Sequence, residues 1–328
     1  MIRKIVGAAL IAMMATSGTA IAAKKIIKLG HYMSDTHPQH IALKEYFKKT
    51  IEDETQGRYE IRIYPNNQIG GEDQVLNGIR NGTIEMGITG LLLQNVNPVF
   101  GVWEWPFLFK NNAEARKVLT DSQIAKDIMD KHAEYGIKVL AIGMNGFRVV
   151  SSNKPVNNFA EFNGLRLRVP MNNMFVVWAK AMTINPQSMP LSEVFTALEQ
   201  HVIDGQENPY ALIKESGLYE VQKYIIETNH SFSPGLLQIS LKTWKNIPEE
   251  DQKIFIKAAQ NYQQHEWDLA IKAEGEVKTF LKGHDIKIIE PDDQFKADML
   301  KAVQPMYQEY FNKYDWAQKT VEAINAAK

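Results

Sequence analysis

The sequence predicts an α/β protein of two lobes, on three observations. Apolar stretches of strand type alternate with stretches of helical periodicity along almost the whole chain. With 328 residues, the chain has room for about two domains. Near its C-terminal end, residues 249–282 contain no proline and one glycine, Gly275. A single helix there would be about 51 Å long, longer than one small lobe is wide.

Residues 25–30 read as a first strand that runs into a loop at 31–36. Pro38 suits the first turn of a helix, with Asp35, Thr36 or His37 near its cap. Ala42/Tyr46, Leu43/Phe47 and Phe47/Ile51 repeat at helical spacing until Gly57 stops the run. Tyr59, Ile61 and Ile63 alternate with Glu60 and Arg62 as a second strand, ended by Pro65. Gly70-Gly71 then leads into a helix over 72–81, a third strand over 83–88, and an aromatic stretch at 103–109 that reads as a core-filling loop. A helix over 113–135 and a near-continuous apolar strand over 137–142 complete this half, and the repeated β-α-β order implies a mainly parallel sheet.

A second set of elements begins near Asn145. It comprises a strand over 147–151, a helical turn over 157–162, a strand over 165–169, a helix over 174–182 and a helix opening at Leu191 with Ser192 as N-cap. Asp204-Gly205-Gln206-Glu207-Asn208-Pro209 is punctuated as a polar loop, and 236–240 returns to strand character. Pro248, Glu249, Glu250 and Asp251 suit the positive end of the long helix. One helix crossing both lobes is expected, with two helices joined at Gly275 as the alternative. A strand over 286–289 and a helix over 295–314 follow.

Composition narrows the function. Met1-Ile2-Arg3-Lys4, the apolar run over 5–15 and Ala20-Ile21-Ala22 have the order of a cleaved secretory signal ending near residue 23. Removing it leaves 305 residues with a net charge of about −3, which argues against a nucleic-acid partner. There is no cysteine, so an exported chain must be held by its core rather than by disulfides. No later run is long and apolar enough to cross a membrane, so the mature protein is expected not to be membrane-embedded.

No nucleophile elbow, phosphate loop or zinc-protease motif is present, so no catalytic residue and no cofactor are expected. His31, His37 and His40 cluster with Asp35, but their spacing matches no zinc pattern and no metal site is expected. His31 still sits at the end of the first strand, where α/β folds present ligand contacts. The densest signal is Gly164-Leu165-Arg166-Leu167-Arg168-Val169-Pro170: on a strand, both arginines share one face and the apolar residues take the other. A guanidinium fixed there matches the two oxygens of a carboxylate. Arg148, just after the turn at Asn145-Gly146, and Asn208, biased to extended geometry by Pro209, offer further donors. Glu72 serves either the helix dipole or as an acceptor for ligand hydroxyls.

Together these segments resemble the solute receptors of tripartite ATP-independent periplasmic (TRAP) transporters. The resemblance is carried by Tyr64-Pro65 with Gln68-Ile69-Gly70, by Asn145-Gly146-Phe147-Arg148, by the arginine strand, by residues 190–198, by residues 204–209, and by Tyr219 to Tyr224 and Thr228-Asn229-His230 in order. It implies a periplasmic binding protein fold with the ligand cleft between two lobes, and a long helix that bends as they close. It also implies that Arg168 holds the ligand carboxylate, that Arg148 and Asn208 complete that site, and that Glu72 meets polar ligand groups from the other lobe. Sialic-acid receptors of the family carry other residues where this chain has Tyr32, Gly90 and Leu191. That argues for a sugar acid, uronate or aldonate, with Tyr32 as a stacking platform.

The expected binding set is therefore Arg168, Arg148, Asn208, Glu72, Tyr32, His31 and Thr89. Expected domains are a signal over 1–23, lobe I over 24–145 plus about 234–273, and lobe II over 146–233 plus about 274–328. The expected protein is a periplasmic monomer, without enzymatic activity, that delivers an organic acid to TRAP membrane subunits. Three alternatives remain: a receptor for a C4-dicarboxylate or 2-oxo acid; a secreted sugar-acid enzyme using Glu72 with His31; and a receptor serving a sensor kinase or an ATP-driven transporter.

Overall fold

A computed structural model describes residues 24–328; the expected signal segment lies outside them. Among the described residues nine strands form one sheet: β1 (Lys25–Gly30), β2 (Tyr59–Tyr64), β3 (Met86–Thr89), β4 (Ile137–Ser152), β5 (Arg166–Val169), β6 (Asn185–Ser188), β7 (Gly205–Pro209), β8 (Tyr224–Ser240) and β9 (Lys287–Ile289). Their order is β2-β1-β3-β8-β4-β7-β5-β6, with β9 beside β8.

The sheet is mixed where a mainly parallel one was expected. Parallel pairs lie at its ends, but β4 and β8 run antiparallel through its middle over 16 and 17 residues. What reads locally as two strands, 137–142 and 147–151, is one, because Asn145 and Gly146 are carried by pairing with β8 instead of closing a turn. Gly146 takes φ +111°, and the register slips between Met144 and Gly146, so the long ribbon changes direction there without losing its partner.

This ribbon joins two half-sheets. At one end Met86–Thr89 pairs with Leu236–Ile239 of β8, extending through β1 to β2. At the other end β7 pairs with residues 148–152 of β4, and β9 pairs with residues 224–226 of β8. One core packs Leu29, Phe47, Ile61 and Ile88 against Phe255 and Tyr262; another packs Val149, Val194, Ile213 and Ile225 against Val277 and Leu281. Both rest on the same helix, Glu249–Lys282, which is continuous over 34 residues and passes Gly275 without a break.

Other departures are local. Residues 113–135 form two helices, Asn112–Asp121 and Gln123–Asp130, because Ser122 caps the second through its hydroxyl, and a 3-10 turn follows. Most of the polar run, Gly205–Pro209, is a buried strand, β7, since its backbone completes the ladder between β4 and β5. A further strand, β6, forms over residues that carry no strand pattern, and a terminal helix, Ala317–Ala327, follows Asp293–Lys313. That terminal helix packs on Asn112–Asp121 and Gln123–Asp130, whereas Asp293–Lys313 packs on Asn173–Ala181.

Candidate functional site

The cleft is built where the short strands end against the ribbon. Arg168 lies on β5, held between β6 and β7, and Pro170 ends the strand one residue later. Its side chain is 4 % exposed, and Nε and Nη2 donate to the Met189 carbonyl at 3.0 and 2.8 Å. The rest of its donor fork faces a cavity of about 60 Å³. Arg166, two residues earlier, pairs with Asp204 and is half exposed, and Arg148 pairs with Glu207. Arg168 has no carboxylate partner among the described residues. Burial lowers its guanidinium to about 10, against the upward pull of Glu207 and Glu72.

Arg148, on β4, lines the same cavity in a different electrostatic state. Its Nη2 donates to Glu207 Oε1 at 2.8 Å and to Asn208 Oδ1 at 3.0 Å, while Nε donates to Glu207 Oε2. Its guanidinium also stacks over Phe175 at 4.8 Å. Burial pushes the Glu207 carboxyl up, but Arg148 and His230, whose Nε2 lies 3.2 Å from Oε2, outweigh that and hold it below the usual carboxylate range. The Arg148–Glu207 pair is thus neutral as a unit. Asn208 donates one amide hydrogen to Gln206 Oε1 at 2.6 Å and retains another.

From the other half-sheet come Glu72 and Tyr32. Glu72 opens the helix Glu72–Asn81, and its Oε1 accepts the Gly90 N–H at 2.6 Å. Burial raises the carboxyl above its usual range, against Gly90 and the two arginines. The Tyr32 hydroxyl accepts from Asn145 Nδ2 at 2.9 Å; Asn145 Oδ1 accepts from Gln39 Nε2 at 2.6 Å, and Gln39 Oε1 accepts from Tyr262 at 3.3 Å. Tyr32 is therefore tied to the long helix through the ribbon. A second space of about 290 Å³ shares Tyr32, Glu72, Leu92, Arg168, Pro170 and Leu191 with the first and continues it outward.

Five of the seven expected residues meet here: Arg168, Arg148, Asn208, Glu72 and Tyr32. His31 and Thr89 do not line the cleft. His31 is buried with its Nε2 3.0 Å from His40 Nδ1, and burial lowers its ring to about 3. Thr89 donates to Gly90 O and Gln238 Oε1 within the sheet. The Glu72–His31 pair that an acid–base enzyme would need is not assembled. Among the described residues no group of three metal-ligating side chains comes together.

Sequence reading missed Glu104, Asn172 and Ser233. Glu104 is 4 % exposed at the end of the 3-10 helix Pro98–Glu104. Its Oε1 accepts from Ser233 at 3.2 Å, and its Oε2 accepts from Gln94 at 3.0 Å and Asn172 at 3.4 Å. Burial pushes its carboxyl up to about 7, with Arg148 pulling the other way. The one local signal was a lone acid between Trp103 and Trp105 in an otherwise apolar stretch.

The model of the family described as bacterial extracellular solute-binding protein, family 7, matches residues 29–314. A crystal structure of a TRAP periplasmic solute binding protein from Haemophilus influenzae with bound L-gulonate is 70 % identical, covers 93 % of this chain and 100 % of that one, and superposes with a TM-score of 0.92. The sugar acid binding protein of Advenella mimigardefordensis, in complex with galactonate, is 26 % identical over 93 % of this chain and 99 % of that one, with a TM-score of 0.88. The 2,3-diketo-L-gulonate-binding periplasmic protein YiaO of Escherichia coli is 33 % identical over 80 % of this chain and 81 % of its own.

Proposed function

The chain belongs to the bacterial extracellular solute-binding proteins of family 7, receptors of the TRAP type, and on that footing we propose that it is a periplasmic, non-catalytic receptor for a sugar acid of aldonate or uronate type. It passes its ligand to the membrane subunits of a TRAP transporter. The observation that carries this reading is Arg168, a buried guanidinium that lines the cavity and makes no salt bridge among the described residues. Leaving such a charge unpaired is costly, so a ligand carboxylate that completes the pair recovers that cost on binding.

Arg148 and Asn208 support the same end of the ligand. Arg148 adds little net charge, because Glu207 cancels it, but holds Asn208 so that its spare amide hydrogen is presented to the cleft. Glu72 and Tyr32 face them from the other half-sheet, as an acceptor for hydroxyls and an aromatic surface for the carbon chain or ring. The ligands of the similar proteins, L-gulonate and galactonate among them, are of this chemical kind. Lobe I would take residues 24–145 and about 234–273, and lobe II residues 146–233 and about 274–328, with the terminal helix reaching back to the first. The boundaries are favoured by the slip of the ribbon at Met144/Gly146, opposite Pro234 and Ser233. Closure by a hinge there would bring the two sides onto the solute.

Calorimetric titration of the mature protein with L-gulonate, glucuronate, galactonate, succinate and pyruvate tests this reading. Saturable 1:1 binding of at least one sugar acid, lost in Arg168→Met, is expected. Binding of none, or binding unchanged in Arg168→Met, overturns it.

A further inference from the structure

Among the described residues, the two connected spaces contain one cation that is not already paired. Arg168 lines both, Arg148 lines the inner one and is cancelled by Glu207, and no lysine or further arginine reaches either. A third space, opening beside Tyr32 and Leu191, holds Glu215 and no cation. Against this single positive charge stand Glu104 in the inner space, Glu72 in both and Asp73 at the outer one. Glu72 and Glu104 make no salt bridge among the described residues. Each carboxyl is held by neutral donors: Gly90 N–H for Glu72, and Ser233, Gln94 and Asn172 for Glu104.

We propose that Glu104, together with Glu72, is a charge filter that admits sugar monoacids and rejects the corresponding diacids. The inference rests on the sugar-acid reading above and adds a specificity-determining residue to it. A monoacid places its carboxylate on Arg168 and its hydroxyls toward two carboxyl acceptors, so every polar group finds a complement. A diacid bound the same way carries its second carboxylate toward Glu72 and Glu104, where no cation is free to receive it. Like charges brought together in a cleft that excludes water repel strongly, and rejection of this kind separates ligands more sharply than added attraction does. Burial of Glu104 leaves little solvent to screen its charge, but it also pushes the carboxyl up to about 7, so the filter acts in full only above that pH and the two probes are compared at about pH 8.5.

L-Gulonate and glucarate form the matched pair of probes, since glucarate is L-gulonate with its far terminal alcohol carbon at the oxidation level of a carboxylate. Titration calorimetry on the mature protein is expected to give glucarate an affinity at least ~100-fold below that of L-gulonate. In Glu104→Gln and in Glu72→Gln, which keep shape and remove charge, the gap narrows by roughly tenfold. Wild-type affinities within threefold of each other, or a gap unchanged in both variants, overturn the filter while leaving the sugar-acid reading intact. Binding of neither probe and of no other sugar acid overturns both. The wild-type comparison decides the matter even where a variant fails to fold.

Discussion

Arg148 Nη2 lies 2.8 Å from Glu207 Oε1, half of a bidentate pair, and Glu207 sits on the strand between those of Arg148 and Arg168. One carboxylate thus stands between two buried guanidinium groups and is taken by the first. The second, Arg168, is left without a salt bridge among the described residues. A paired arginine and an unpaired one on the two strands that flank Glu207 should respond to mutation in opposite ways.

Arg168→Met is expected to abolish carboxylate binding while stabilising the ligand-free protein by about 2 kcal/mol, because an unpaired buried charge is replaced by an apolar chain of similar length. Its guanidinium is lowered to about 10, so the charged form opposes folding at neutral pH and removing it relieves that cost. Urea denaturation without ligand, beside calorimetry with it, measures both. A variant that loses binding and stability together would contradict the assignment.

Arg148→Met should behave the other way. It strands Glu207 at 0 % exposure with only His230 beside it, and breaking one side of a buried pair costs about 3–5 kcal/mol. Glu207 is also freed to turn toward Arg168, so affinity falls as well. The double variant Arg148→Met/Glu207→Gln is expected to recover part of the stability. Absence of any recovery in a double-mutant cycle would mean that the pair is not coupled.

Glu266 on the long helix accepts the Met144 N–H at 2.8 Å where the ribbon slips, and its Oε1 has no partner among the described residues. Burial pushes its carboxyl up to about 8. A carboxyl whose folded value lies above its unfolded value binds more protons when folded, so stability falls as pH rises from the ordinary carboxylate range through about 8. Glu266→Gln removes that dependence. Its thermal midpoint should exceed that of the wild type by several degrees at pH 8 and by much less at pH 5, and an equal difference at both would argue against a proton held there.

Gly275 lies within the long helix, and an added Cβ would meet nothing within 4 Å. Gly275→Ala should raise stability by about 0.5–1 kcal/mol through helix propensity alone. Gly205→Ala makes the contrast, since its Cβ would lie 2.2 Å from the Ser151 carbonyl oxygen, in the backbone of the paired strand. A loss of about 2–4 kcal/mol is expected there, with weaker ligand binding, because the β4–β7 pairing that sets Arg148, Glu207 and Asn208 must shift. Thermal melts of the two variants decide between these signs.

Local pattern by itself determined much of this protein. The strand over residues 59–64, the long helix with its acidic start, and the side of the strand on which Arg166 and Arg168 lie all follow from periodicity and end signals within a dozen residues. Of the five expected residues that meet in the cleft, Arg168, Arg148 and Asn208 came from donor chemistry at strand ends and turns, and Glu72 and Tyr32 from the comparison with a known family. Tertiary structure decided the rest, and each case depends on partners far away in the chain. Residues 205–209 become a buried strand only because β4 and β5 leave a gap for it, and Asn145 and Gly146 stay in one long strand only because β8 runs beside them. Three arginines, 148, 166 and 168, look alike in sequence. Which of them remains uncompensated was settled by where Glu207 and Asp204 lie after folding, since the energy of a buried charge is set by the carboxylates that reach it and not by its neighbours along the chain.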